Sequence, residues 1–283
     1  ALRVCKKNRV PYLFRALDVS TAIRRSVFRP LVSRAEKYIY KNSDWVSCNN
    51  PAMLDYVVSQ GGEAVRCSVD YSPLDFSHFI SSSVNKEKTK QKLGIPGQAQ
   101  VILFMGSFFY FSGLEEVIKS FSQQQPENTY LVLIGMGEQE ADLKKQVALL
   151  GLRDTIIFTG RVEVDVLPKF LSIADVAINP FAPSLVSNTA LPNKVLQYMA
   201  SSLPVVSTRL SGLEKTFGAN NNGLVFVDSP SDVRYAAFSV LANKDQKSSF
   251  GEMNLKQVQL LFSEQSTIKN FENRIQALLE VQK

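Results

Sequence analysis

Apolar residues along this chain fall in short unbroken runs, and the stretches between them repeat at helical spacing. VILFMGS (101–107), YLVLIGMG (130–137), TIIFTGRV (155–162), DVAINPF (175–181), PVVSTR (204–209) and LVFV (224–227) show no in–out alternation. Each predicts a strand buried on both faces. Helical patterns follow over 113–123, 141–150 and 166–174, and from Pro192. Strands alternating with helices predict a parallel sheet covered on both sides, with ligands at the carboxyl ends of the strands. Residues 232–282 are predicted helical throughout, with Leu260, Leu261, Ile268, Phe271, Ile275, Leu278 and Leu279 as the apolar positions.

Residues 1–80 read as strand, helix, strand, helix, strand. PYLFRALD (11–18) leads to an amphipathic helix over 22–41, with Phe28, Leu31, Val32, Ala35 and Ile39 on one side. Its other side carries Arg24, Arg25, Arg29, Arg34, Lys37 and Lys41, opposed only by Glu36. That basic face over 24–41 suits a peripheral contact with an anionic membrane surface. A strand over 44–50, a helix over 51–60 ending at Gly61-Gly62 and a strand over 63–70 follow. From 71 to 92 serine, lysine and asparagine dominate, the composition of a linker. The chain therefore divides into 1–88, a partial first lobe with its linker, and 89–283, a complete doubly wound lobe with a helical tail. A lobe matching the second needs roughly 150 residues, so the front half of the first is expected to be absent from this chain.

Composition narrows the chemistry. The chain has 283 residues, 45% of them hydrophobic. No apolar run reaches the roughly 18 residues of a membrane span, and the start shows no secretory signal. Cys5, Cys48 and Cys67 are widely spaced within apolar stretches read as strands, the pattern of reduced core thiols in a cytoplasmic protein. A net charge of +6 and a pI near 9.1 favour an anionic partner. His78 is the only histidine, which argues against zinc sites and against Ser-His or Cys-His catalysis. GMGEQE is not a dinucleotide fingerprint, because Glu140 stands where the third glycine must be.

The stretch NTALPNKVLQYMASSLPVVS (188–207) concentrates the candidate chemistry. Pro192 suits the first helical position. Val195, Leu196 and Met199 then share one face, and Asn193, Lys194 and Gln197 the other. A lysine and an amide near a helix start favour a phosphate. Glycines end three strands, at Gly106, at Gly135 with Gly137, and at Gly160, where a backbone can approach a ligand closely.

The ordered set of strand-Gly106, Ser112-Gly113-Leu114, IGMGE, FTGRV, ADVAINPF and LPNKVLQYMASSLPVVST resembles the nucleotide-sugar-binding lobe of GT-B glycosyltransferases. The similarity is to the large retaining family 4, also called glycosyl transferases group 1. More loosely, NSDWVSCNN and CSVDYSPLDF resemble the back half of its acceptor lobe. The resemblance implies an α/β fold of two Rossmann-like doubly wound parallel-sheet lobes and a metal-independent hexosyltransferase of polysaccharide biosynthesis. It implies a UDP- or GDP-sugar donor, no other cofactor, and a glycan, lipid-linked or small-molecule acceptor. No nucleic-acid partner is implied, and the site of action is cytoplasmic, at most peripheral at the inner membrane face.

By the same resemblance Gly106 sits by the diphosphate, with Ser107 and Ser112 where family members carry cations and Gly113 as the helix glycine. Lys194 becomes the main neutraliser, with Arg161 second, and Gly160 and Val162 offer backbone to the nucleobase. Thr189 and Gln197 stand where two glutamates are usual, bracketing Ala190 and Leu191. No catalytic side chain is assigned. Two other readings share the fold: a non-catalytic nucleotide-sugar-binding or partner-binding module, and a nucleotide-sugar 2-epimerase.

Overall fold

The computed structural model describes residues 1–19, 28–77, 79, 85–123, 128–220 and 223–280. Arg24, Arg25 and His78 lie outside the described residues.

The first lobe runs α1 (Leu2–Lys7), β1 (Leu13–Ala16), α2 (Arg29–Asn42), β2 (Trp45–Cys48), α3 (Pro51–Ser59) and β3 (Cys67–Val69). Its strands form a parallel sheet in the order β1-β2-β3. Ala16, Val46, Cys48, Met53 and Val57 make a small core. Burial pushes the Cys48 thiol up to about 12, with Cys67 and Asp70 adding to the shift. All three cysteines are free, but Cys5 lies on α1, a helix that the sequence pattern did not announce.

The expected apolar side of α2 is not its buried side. Glu36 and Tyr40 are buried, while Phe28 and Leu31 are 63% and 60% exposed. Tyr40 sets the rotation by packing edge-on against Phe14 and Tyr56, since an aromatic ring buries more apolar area than the smaller residues opposite it.

The second lobe contains α4 (Lys86–Lys92), β4 (Gln100–Met105), α5 (Leu114–Gln123), β5 (Thr129–Ile134), α6 (Glu140–Leu149), β6 (Ile156–Gly160), α7 (Leu167–Ile173) and β7 (Val176–Asn179). It continues through α8 (Leu185–Thr189), α9 (Asn193–Ala200), β8 (Val205–Thr208), α10 (Ser211–Phe217), β9 (Leu224–Val227), α11 (Val233–Ala242), α12 (Lys244–Phe262) and α13 (Glu264–Glu280). The six strands are parallel in the order β6-β5-β4-β7-β8-β9. Val101, Leu103 and Met105 of β4 enter one core, and Ile102 and Phe104 the other. Burial on both faces is why these strands read as continuous apolar runs.

Three local expectations change. Pro192 is the residue before α9 rather than its first. Part of the expected linker is helical, because Asn85 caps α4 by accepting from the Lys88 N–H. The tail is three helices, restarted at Asn243, which caps α12 through the Gln246 N–H, and at Ser263. Among the described residues no helix is long and apolar enough to cross a membrane.

The position of the site follows from the sheet order. β4 lies between β5, which continues one way, and β7, which continues the other, so the crevice at their carboxyl ends is the topological switch point. β4 and β7 are paired only at Ile102–Val176 and Leu103–Ala177. Beyond Leu103 they part. The Met105 N–H donates instead to the buried Tyr198 hydroxyl of α9, 2.7 Å away. This bond pins the helix carrying Lys194 to the residue before Gly106.

Candidate functional site

A cleft of about 790 Å³ opens at this switch point and is lined from both lobes. The second lobe contributes Gly106, Ser107, Phe109, Phe111, Phe181, Val186, Ser187, Ala190 to Lys194, Leu196 and Gln197, and the first contributes Leu17, Asp18, Asn49 and Ser72 to Leu74. Among the described residues Lys194 is the only cation in this lining and Asp18 the only carboxylate. Partial desolvation raises the pKa of the Asp18 carboxyl, although the residue is exposed.

The stem of Lys194 is half-open, but its Nζ is buried and has no hydrogen-bond partner among the described residues. Nζ lies 3.7 Å from the centroid of the Phe181 ring and 4.0 Å from that of Phe104. Two ring faces partly replace lost hydration. Burial still lowers the lysine pKa well below 10.5. A Cβ added to Gly106 would stand 3.3 Å from Nζ, so a side chain there would push the ammonium aside. The site is thus a desolvated cation at a strand-end glycine, beside the start of α9. That combination attracts an anion strongly, since the ammonium lacks the hydrogen bonds a phosphoryl oxygen supplies.

Gly106, Ser107, Ala190, Leu191, Lys194 and Gln197 all meet in this lining. The other candidates do not line it. A Cβ on Gly135 would lie 2.0 Å from the Gly106 carbonyl oxygen, and one on Gly137 would lie 2.6 Å from backbone atoms of Phe108. Those glycines let the loop after β5 press against the loop after β4, where the Gly106 N–H donates to Ile134 O and the Phe108 N–H to Met136 O. A Cβ on Gly113 would collide with the Pro180 carbonyl, and Ser112 is buried with no hydrogen-bond partner for its hydroxyl among the described residues. Arg161 is exposed, and Val162 packs on the core. The Thr189 hydroxyl turns back to the Leu185 carbonyl at 2.7 Å.

Several site residues gave little sequence signal. Phe104 and Phe181 read as ordinary strand residues, and Tyr198 fell on neither of the two faces assigned to its helix. Asn49 and Asn50 were legible in principle, because asparagine before proline is a helix-start signature. Asn50 does cap α3, accepting from the Met53 N–H. Among the described residues no three His, Cys, Asp or Glu side chains gather as a metal site.

Two parallel sheets facing each other across a cleft at the carboxyl ends of the strands define the GT-B glycosyltransferase fold. Residues 85–257 match the family model for glycosyl transferases group 1, and the chain belongs to that family. It is 28% identical over 187 residues to the lipopolysaccharide core biosynthesis glycosyltransferase LpsE of Rhizobium meliloti (strain 1021), covering 66% of this chain and 50% of that protein. It is 25% identical over 195 residues to the 2-deoxystreptamine glucosyltransferase of Streptomyces kanamyceticus, covering 67% and 49%. The chain spans about half the length of the curated relatives it matches. Among solved structures, Anabaena HepE in complex with UDP superposes with a TM-score of 0.85 at 16% identity, covering 98% of this chain and 75% of that one.

Proposed function

We propose that the chain takes part in sugar transfer from a nucleoside-diphosphate sugar, with the donor bound in the cleft between Gly106 and α9. The observation that carries the reading is the buried, unpartnered Lys194 ammonium facing the strand-end glycine. In this reading Lys194 and the N–H groups at the start of α9 hold the diphosphate. Gln197, one turn further on and also in the lining, accepts a ribose hydroxyl. Bond cleavage leaves charge on the departing diphosphate, and a desolvated ammonium stabilises that charge without reorganisation. Retention of configuration, independence from metal and kinship to family 4 complete the proposal. HepE, solved with UDP and with UDP-glucose, supports the donor class, and LpsE supports a glycan or lipid-linked acceptor.

Calorimetric titration with UDP and GDP tests the donor site. Saturable binding of one of them is expected, weakened about 10- to 100-fold in Lys194→Ala, the consequence of losing a charged hydrogen-bond partner worth about 1.5–3 kcal/mol. Unchanged affinity would move the phosphate elsewhere. A second reading, a nucleotide-binding module without transfer activity, is favoured by Ser107 and Gln197 in the lining where family members carry charge. UDP binding without sugar transfer or donor hydrolysis in the full-length protein would select it.

A further inference from the structure

Asn49 and Asn50 follow the first lobe's central strand, Asn49 in the cleft lining, and their amides form a short relay toward the second lobe. Asn49 Nδ2 donates to the Leu17 carbonyl at 2.9 Å. Asn49 Oδ1 accepts from Asn50 Nδ2 at 2.9 Å. The same Nδ2 donates to the Thr189 carbonyl at 2.8 Å, a residue 139 positions away in the second lobe. Asn50 is fully buried, and its Oδ1 is taken by the Met53 N–H at 3.0 Å. The orientation of the amide is fixed by these partners, because an N–H needs the oxygen and a carbonyl needs the NH₂.

Thr189 ends α8, where carbonyls lack intrahelical partners. The Asn50 amide therefore satisfies a carbonyl that otherwise needs water. Four residues further along, past Ala190, Leu191 and Pro192, α9 begins with Asn193 and Lys194. Among the described residues the ion pairs that cross the lobes lie elsewhere: Lys215 with Asp55 at the surface, and Arg274 with Asp70 beneath the tail helix. Neither touches the 189–194 segment.

We propose that Asn50 is a positioning residue for the nucleotide site: its NH₂, through the Thr189 carbonyl, holds the 189–194 segment of one lobe against the other and so sets where Lys194 stands over Gly106. The proposal rests on the reading of Lys194 as the diphosphate ligand. The two ends of the Asn50 amide have separable jobs. Its oxygen caps α3, and its nitrogen reaches across the lobes.

Asn50→Ser and Asn50→Asp keep a capping oxygen and remove the amide NH₂ that reaches the Thr189 carbonyl; serine and aspartate cap about as well as asparagine, and aspartate, ionised, has no donor at all. Hydrogen exchange of the 190–196 amides in the free protein reads the tie, and calorimetry with UDP reads the site. In both variants those amides are expected to exchange at least tenfold faster, α3 amides to stay as protected as in the wild type, and the UDP Kd to rise about fivefold or more. Loop exchange within twofold of wild type in both variants would overturn the proposal. So would faster exchange with an unaltered UDP Kd, because the segment would then be tied without serving the site. A wild-type protein that binds neither UDP nor GDP would instead sink the donor reading, and the exchange data would still decide whether Asn50 ties the segment.

Discussion

Replacing Lys194 by methionine should move stability and binding in opposite directions. In the free protein Nζ is buried without a hydrogen-bond partner among the described residues, compensated only by the rings of Phe181 and Phe104. An unsatisfied buried polar group costs about 1–3 kcal/mol, and cation–π contacts return roughly 1–2 kcal/mol. Methionine keeps most of the stem and packs well on aromatic rings. The variant is therefore expected to match the wild type or exceed it by about 1 kcal/mol, a Tm rise of roughly 2–4 °C for a chain of this size.

Nucleoside-diphosphate binding goes the other way. Losing about 2–3 kcal/mol of charge-assisted bonding raises Kd roughly 30- to 150-fold.

The pH dependence supplies the sign. Burial lowers the Lys194 pKa from 10.5, so between the folded value and 10.5 the unfolded chain holds more protons and wild-type stability rises with pH. The cost of burying the ammonium is fully present below the folded pKa and disappears as pH approaches 10.5. Any Tm advantage of the methionine variant should therefore shrink as pH rises. UDP affinity of the wild type should also fall as pH rises through the free-protein pKa, because the bound diphosphate needs the ammonium, and that component of the slope should be missing in the variant. Scanning calorimetry from pH 6 to pH 10, with and without UDP, measures both. A variant that melts several degrees lower and binds UDP like the wild type would refute the reasoning.

Tyr198→Phe removes the acceptor of the buried Met105 N–H and is expected to cost about 1–3 kcal/mol in urea denaturation. A loss below roughly 0.5 kcal/mol would mean that the N–H finds another partner. Gly135→Ala forces a Cβ to within 2.0 Å of the Gly106 carbonyl at φ +133° and should destabilise by about 3 kcal/mol or more. Gly160→Ala, with open space around its Cβ position and φ +70°, should cost only about 1–2 kcal/mol of backbone strain. Equal melting of the two alanine variants would rule out the loop-against-loop packing as the reason for Gly135.

Much of the second lobe was legible because a strand covered on both faces must be apolar at every position, and a run such as VILFM admits little else. The loop glycines were legible as positions but not as roles. Gly135 and Gly137 read as openings for a ligand and turn out to be openings for neighbouring backbone, a distinction that requires knowing what lies across the sheet edge. The rotation of α2 was misread for a related reason. Phe28, Leu31, Val32, Ala35 and Ile39 line up at helical spacing, but Tyr40 had two aromatic partners on other elements, and helix periodicity carries no information about partners.

At the site, the sequence by itself determined the chemistry available: a lysine near a helix start, a glycine at a strand end, and serines and a glutamine where relatives carry charge. It also determined the order of strands and helices, and through it the family. Only the tertiary structure decided that the Lys194 ammonium is buried between two phenylalanine rings instead of standing in solvent. The rings of Phe104 and Phe181 enclose it, Tyr198 holds the helix to β4, and Asn50 ties the preceding turn to the other lobe. Each of those contacts joins residues more than ten to more than a hundred positions apart, and local spacing cannot encode a pairing across that separation.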